Sequence, residues 1–172
     1  MTGRLAGLIP PDPQGEFPFE VSEYLIQAIH RIARVRDAEF EADLAPLGLN
    51  LTRYRTLLAI VRAGRCTMSD LSVLIGYDRT TLARAIDHLV AADLVRREGT
   101  PADRRFVELV ATEAGNAVYE QSIPVAEAFN ARFFAGVPEE DQRKAMRVLI
   151  PLLANLGVTP QQVADNLSPR WD

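Results

Sequence analysis

Residues Thr67–Val95, "TMSDLSVLIGYDRTTLARAIDHLVAADLV", decide the fold. Thr67 and Asp70 are spaced as a capping box, with the shorter acid in place of Glu. Leu71, Leu74 and Ile75 then recur at helical spacing, and Gly76 fits a helix C-cap. Asp78 is placed to cap a second helix whose inward stripe is Leu82, Ile86, Leu89 and Val90. Two helices joined by the tight turn "GYD" make a helix-turn-helix. The second helix leaves Arg79, Thr80, Thr81, Ala83, Arg84 and Asp87 off its apolar stripe. A helix that enters a major groove needs such a face. Small residues permit close approach, hydroxyls reach phosphates or base edges, and Arg contacts guanine or phosphate.

The next segments separate this reading from a merely solvated helix face. "LVRRE" and "RFVELVA" alternate as short strands, with "GTPAD" between them. A β-hairpin directly after a helix-turn-helix is a wing. Its tip carries Asp103, Arg104 and Arg105. A minor groove attracts arginine through its enhanced negative potential, and a neighbouring carboxylate holds the guanidinium in one pose. On the other side, a helix starts after Thr52 as its cap, turns Leu57, Leu58, Ile60 and Val61 inward and ends at Gly64. Cys66 falls in a short strand before the motif and reads as a small buried hydrophobe rather than a redox sensor.

Longer helices flank this centre. One runs from about Glu20 to Ala45 with apolar Val21, Tyr24, Leu25, Ala28, Ile29, Ile32 and Val35, and stops near Pro46 and Gly48. After the wing, Thr112 caps a helix from about Glu113 to Ala135, with Val118, Phe129 and Phe133 inward and Pro124 marking a kink or a break. The last starts at Pro138 and carries Met146, Leu149, Ile150, Leu152, Leu153 and Leu156, a face broad enough to want a deep core or a second chain. Residues 1–19 are rich in Pro and Gly and read as an extended arm; residues 158–172 form a tail in which Thr159 and Pro160 start a short helix.

Charge follows the same division. Net charge is −4, yet residues 52–105 hold ten Arg against six acids, while residues 1–51 hold four Arg against eight acids. Residues 106–172 hold five basic residues against nine acids. A basic centre between acidic ends suits a polyanion met at the middle of the chain. No apolar run is long enough to cross a bilayer and the N-terminus lacks a signal-peptide core, so a cytoplasmic location is expected. Two His and one Cys are too few for a zinc cluster, and no GxGxxG, Walker A, GxSxG or HExxH pattern appears. Glu139, Glu140 and Asp141 follow Pro138, where acids suit a helix N-terminus better than they suggest acid–base chemistry. No nucleophile–base pair supports an enzyme, and neither a cofactor nor a metal is expected.

Taken together, "LTRYRTLLAIVRAG", the helix-turn-helix stretch and "DRRFVELVATEAG" resemble the MarR family of winged helix-turn-helix regulators over residues 20–157. The expected fold is mainly α with a small β-wing: a winged helix-turn-helix at about 50–112 between dimerisation helices at about 20–46 and 113–157. The resemblance implies a homodimer whose terminal helices interlock and whose two-fold symmetry asks for a (pseudo)palindromic double-stranded DNA site. It implies that Arg79, Thr80, Thr81 and Arg84 meet the major groove, and that Asp103, Arg104 and Arg105 on the wing meet the minor groove. It also implies a small phenolic or aromatic effector that releases DNA, for which Tyr24, His30, Tyr54 and Arg55 lie on suitable elements. The expected function is a transcriptional regulator, a repressor by the family's commoner mode. The competing reading is a winged-helix protein-interaction or ligand-binding module without DNA binding, which would not need both sets of arginines. Two departures stand out. Asp93 replaces a usual Gly, at a position whose left-handed backbone Asp tolerates. "LVATEAG" replaces the usual "LTxxG", so a longer strand or a shifted register is expected.

Overall fold

The computed structural model describes residues 20–99 and 107–159. The chain packs as two units, Met1–Glu39 and Phe40–Asp172. Helix α1 (Val21–Leu44) begins in the first unit and ends in the second. Within the first unit Tyr24, Leu25 and Ala28 are half-buried, whereas Val21, Ile26, Ile29, Ile32 and Val35 are exposed. In the second unit a 3-10 turn (Ala45–Leu47) is followed by α2 (Leu51–Ala63), α3 (Met68–Ile75), α4 (Arg79–Ala91), β1 (Val95–Gly99), β2 (Val107–Ala111), α5 (Glu113–Phe133) and α6 (Glu139–Asn155).

Local chemistry fixes the central elements. The Thr67–Asp70 box closes as expected: Asp70 N donates to Thr67 Oγ1 at 3.2 Å, and Thr67 N donates to Asp70 Oδ2 at 2.7 Å. These bonds to Thr67, its amide first, hold the Asp70 carboxyl below the usual carboxylate range. Gly76 ends α3 in the left-handed region at φ 73°, where a side chain would be strained. One cap differs from expectation. Asn50, not Thr52, accepts from Arg53 N at 2.8 Å, so α2 starts earlier; Glu41 Oε2 reinforces this start by accepting from Leu51 N at 3.0 Å. The carbonyl of Thr52 serves the helix interior instead, receiving the buried Thr56 hydroxyl at 2.8 Å.

The core of this unit gathers Leu57 and Ile60 of α2, Leu71 of α3, Leu82, Ile86 and Leu89 of α4, Val95 and Leu109 of the strands, and Phe129 of α5. Full burial of each large aliphatic side chain contributes about 1.5–3 kcal/mol. Leu74, Ile75, Val61 and Val90 are half-buried at its edge rather than inside. Phe40 joins the core by meeting Tyr54 edge-on at 5.3 Å and Phe129 at 4.9 Å. Cys66 is buried and pairs with Leu109 in an isolated bridge, which gives β2 a neighbour on each side.

Pro124 does not break α5, which runs on through it; buried Ser122, Ala126 and Phe129 around the proline offset the one missing hydrogen bond. Phe133 is exposed, not inward; it lies a turn beyond Phe129, stacked 6.1 Å from that ring and edge-on to Phe134. β1 and β2 pair one for one from Gly99↔Val107 to Val95↔Ala111, and Thr112 caps α5 by accepting from Gly115 N at 3.0 Å. Val110 and Ala111 are therefore ordinary strand residues.

Candidate nucleic-acid interface

Helix α4 is held at its head by Asp78. One oxygen, Oδ1, accepts from the amides of Thr80 and Thr81, each at 2.9 Å, and the other accepts the Thr81 hydroxyl at 2.6 Å. These bonds, the Thr81 hydroxyl first, hold the Asp78 carboxyl below its ordinary value. The Thr81 hydroxyl proton is thus committed to the cap, so toward an outside group this residue offers only lone pairs. Thr80 has no such engagement. Leu82, Ala85, Ile86 and Leu89 face the core, which leaves Arg79, Thr80, Arg84 and Asp87 exposed. Among the described residues, Arg79 and Arg84 form no ion pair; their guanidiniums are uncommitted.

The arginines of the strand stem behave otherwise. Arg97 Nη2 meets Asp87 Oδ1 at 2.5 Å, tying β1 to α4. Arg96 pairs with Glu98, and Arg65, just before the Cys66 bridge, spans Glu98 at 2.7 Å and Glu108 at 2.9 Å. The Glu98 carboxyl is held low, first by its hydrogen bond to Arg96 and then by Arg65. The junction between α4 and β1 is equally well defined. Asp93 adopts φ 58°, the left-handed conformation anticipated for it, and its carbonyl receives the Thr112 hydroxyl at 2.6 Å. Leu94 O accepts from Thr112 N at 3.0 Å, and Gly115 packs so closely that a Cβ there would lie 1.9 Å from that oxygen.

Asp103, Arg104 and Arg105 lie outside the described residues, between β1 and β2 in sequence. The four residues expected near an effector are divided between the two units. Tyr24, half-buried, and His30, exposed, belong to the first unit. Tyr54 is buried against Phe40, while Arg55, next to it on α2, donates to the Tyr77 hydroxyl at 2.9 Å. Arg55 also lines an open cleft of about 520 Å³ between α2 and α3, walled by Leu58, Ala59, Leu74 and Ile75 and by a second guanidinium, Arg62. That volume falls within the range of small-molecule sites. Sequence reading missed Arg62, although its spacing of seven from Arg55 on one helix is a visible signal. It also missed the Asp87–Arg97 pair, which depends on how α4 folds back on β1. Burial pushes the Cys66 thiol up to about 11, with the charges of Asp70 and Glu108 adding to it, which disfavours the reactive thiolate. No helix is long and apolar enough to cross a membrane among the described residues.

Comparison with known proteins connects this geometry to others. Residues 47–105 match the model described as MarR family. The chain is 26% identical over 114 residues to the HTH-type transcriptional repressor NicR of Pseudomonas putida, covering 66% of this chain and 72% of NicR. It is 30% identical over 93 residues to the multiple antibiotic resistance protein MarR of Escherichia coli, covering 54% of this chain and 65% of MarR. A crystal structure of a mutant of that MarR complexed with operator DNA superposes with a TM-score of 0.71 at 24% identity, covering 80% of this chain and 99% of the other. BpsR of Bordetella bronchiseptica, whose structure is described with regulation of its DNA binding by 6-hydroxynicotinic acid, gives a TM-score of 0.67 at 24% identity, covering 75% and 98%.

Proposed function

We propose that the chain is a MarR-family transcriptional regulator, a cytoplasmic homodimer that represses transcription at a palindromic operator and is released by a small aromatic effector. The observation that carries this reading is the head of α4, where two uncommitted arginines and a free threonine stand on a rigidly capped, exposed helix end. In this reading Arg79, Thr80 and Arg84 meet base edges or phosphates in the major groove, and Thr81 chiefly supports the cap. Asp103, Arg104 and Arg105 serve the minor groove from the connection between the strands.

Dimerisation is supported by apolar surface that a single chain leaves open. On and beside α6, Phe134, Val137, Met146, Val148, Ile150 and Leu156 are exposed, and Leu156 is 79% so. A second copy of the chain is the occupant that two-fold operator symmetry requires. Effector control is supported by the α2–α3 cleft. Its apolar walls suit an aromatic ring, and its two guanidiniums suit a carboxylate or phenolate. The acid named with BpsR has this chemistry.

The test is selection of bound fragments from random DNA by the purified full chain, followed by titration with 6-hydroxynicotinic acid. The expected outcome is one enriched sequence with two-fold symmetry, bound by two chains per site and released by an aromatic acid. Absence of any enriched sequence would favour a winged-helix module that holds a protein or ligand instead.

A further inference from the structure

We propose that Asp87 and Arg97 are positioning residues that brace α4 against β1 and so set the angle at which recognition helix and wing meet DNA. The inference rests on the DNA-binding reading above. Asp87 is an acid on the exposed face of α4, one turn beyond Arg84. A carboxylate there repels phosphates, so on a DNA-facing helix it weakens binding unless something else engages it. Arg97 engages it, with Nη2 at 2.5 Å from Oδ1.

Geometry gives that contact its leverage. Helix and strand are joined by the turn at Ala92–Leu94, which is pinned by Asp93 N to Val90 O and Leu94 N to Leu89 O, at 3.0 and 2.9 Å. A single joint fixes where two elements meet but leaves their angle free. A second attachment away from the joint fixes the angle. The Asp87–Arg97 pair is that second attachment, well up the helix on one side and inside the strand on the other. Arg97 sits in register with Leu109, whose own amide and carbonyl are bonded to Cys66 beside α3. The brace therefore refers α4 to the body of the winged unit and not merely to a loose strand. With side chains 45% and 64% exposed, the pair adds little to global stability, which separates its positioning role from a structural one.

The experiment measures affinity for the selected operator and for scrambled duplex, across salt, for wild type, Asp87→Asn, Arg97→Gln, Arg97→Lys and the Asp87→Asn/Arg97→Gln double variant. In Asp87→Asn and in Arg97→Gln, the operator-to-scrambled ratio should fall about tenfold, with the double variant no worse than either. Binding of scrambled DNA should hold or rise in Asp87→Asn, since an anion has been removed. Arg97→Lys should recover most of the ratio, and the melting temperature should move by no more than about 4 °C in any variant. If Asp87→Asn strengthens both DNAs equally, Asp87 is only a repulsive surface charge and the brace is wrong. It is equally wrong if Arg97→Gln flattens the salt slope by about one on both DNAs, which marks a phosphate contact. Wild-type protein that fails to discriminate the two DNAs overturns the DNA-binding reading itself, and the brace with it.

Discussion

The head of α4 and the stem of the wing are both arginine-rich, and in sequence "DRTTLAR" and "LVRRE" look equally suited to a polyanion. Folded, they differ. At the head, Asp78 is turned back onto backbone amides and a hydroxyl, and Arg79 and Arg84 are left uncommitted. In the stem, Arg96 and Arg97 each meet a carboxylate, and Arg65 meets two. A guanidinium bonded to its own chain must give up that partner before it neutralises a phosphate. The positive charge available to DNA is therefore set by where the acids point, not by the number of arginines.

The largest effect should come from removing the support that both regions share. Gly115→Ala places a methyl where the Leu94 carbonyl stands, between the end of α4 and the start of β1. Overpacking against backbone should cost about 3 kcal/mol of folding stability, read by denaturant titration. Retention of wild-type stability would mean that the α4–β1 joint yields easily, and the rigid contrast between head and stem would dissolve. Next in size, Arg84→Ala should cost about 1–3 kcal/mol of operator affinity. If Arg84 reads a base, preference relaxes at one operator position; if it holds a phosphate, all sequences weaken and the salt slope falls by about one. Smallest is Arg96→Ala, which removes a guanidinium already engaged by Glu98 and should change operator affinity by less than about 0.5 kcal/mol. A loss from Arg96→Ala equal to that from Arg84→Ala would erase the distinction.

The helix-turn-helix was legible because its signals are local. Thr67 with Asp70, Gly76 and Asp78 each act within one turn of helix, and each does what its spacing implies. The Asn50 cap escaped notice because Thr52 is as good a cap by type, and the choice was made by Glu41, ten residues away, bonding to Leu51 N. The arginine pairings escaped for the same reason on a longer scale: Arg65 and Glu108 are neighbours only once the wing has folded beside Cys66. The MarR-like residues of the head could be named from sequence, but which of the many arginines were uncommitted could not. Thr81 shows the limit within a single turn, since its type suits a groove contact while its proton belongs to Asp78.

The Cys66–Leu109 bridge also orders the assembly of the molecule. Two hydrogen bonds, Leu109 N to Cys66 O at 2.8 Å and Cys66 N to Leu109 O at 3.3 Å, close a loop that contains all of α3, α4 and β1. Closing about forty residues of free chain costs about 1.5 kcal/mol more entropy than closing the seven residues that link the two strands. Once α3 and α4 have formed and packed, the ends of that loop are already near each other and most of this penalty has been met. This cost predicts that folding runs from the helix pair outward, with the strands docking onto Cys66 late. In reverse it predicts that the docked strands open before the helix pair, read as faster hydrogen exchange at Leu109 N than in the middle of α4.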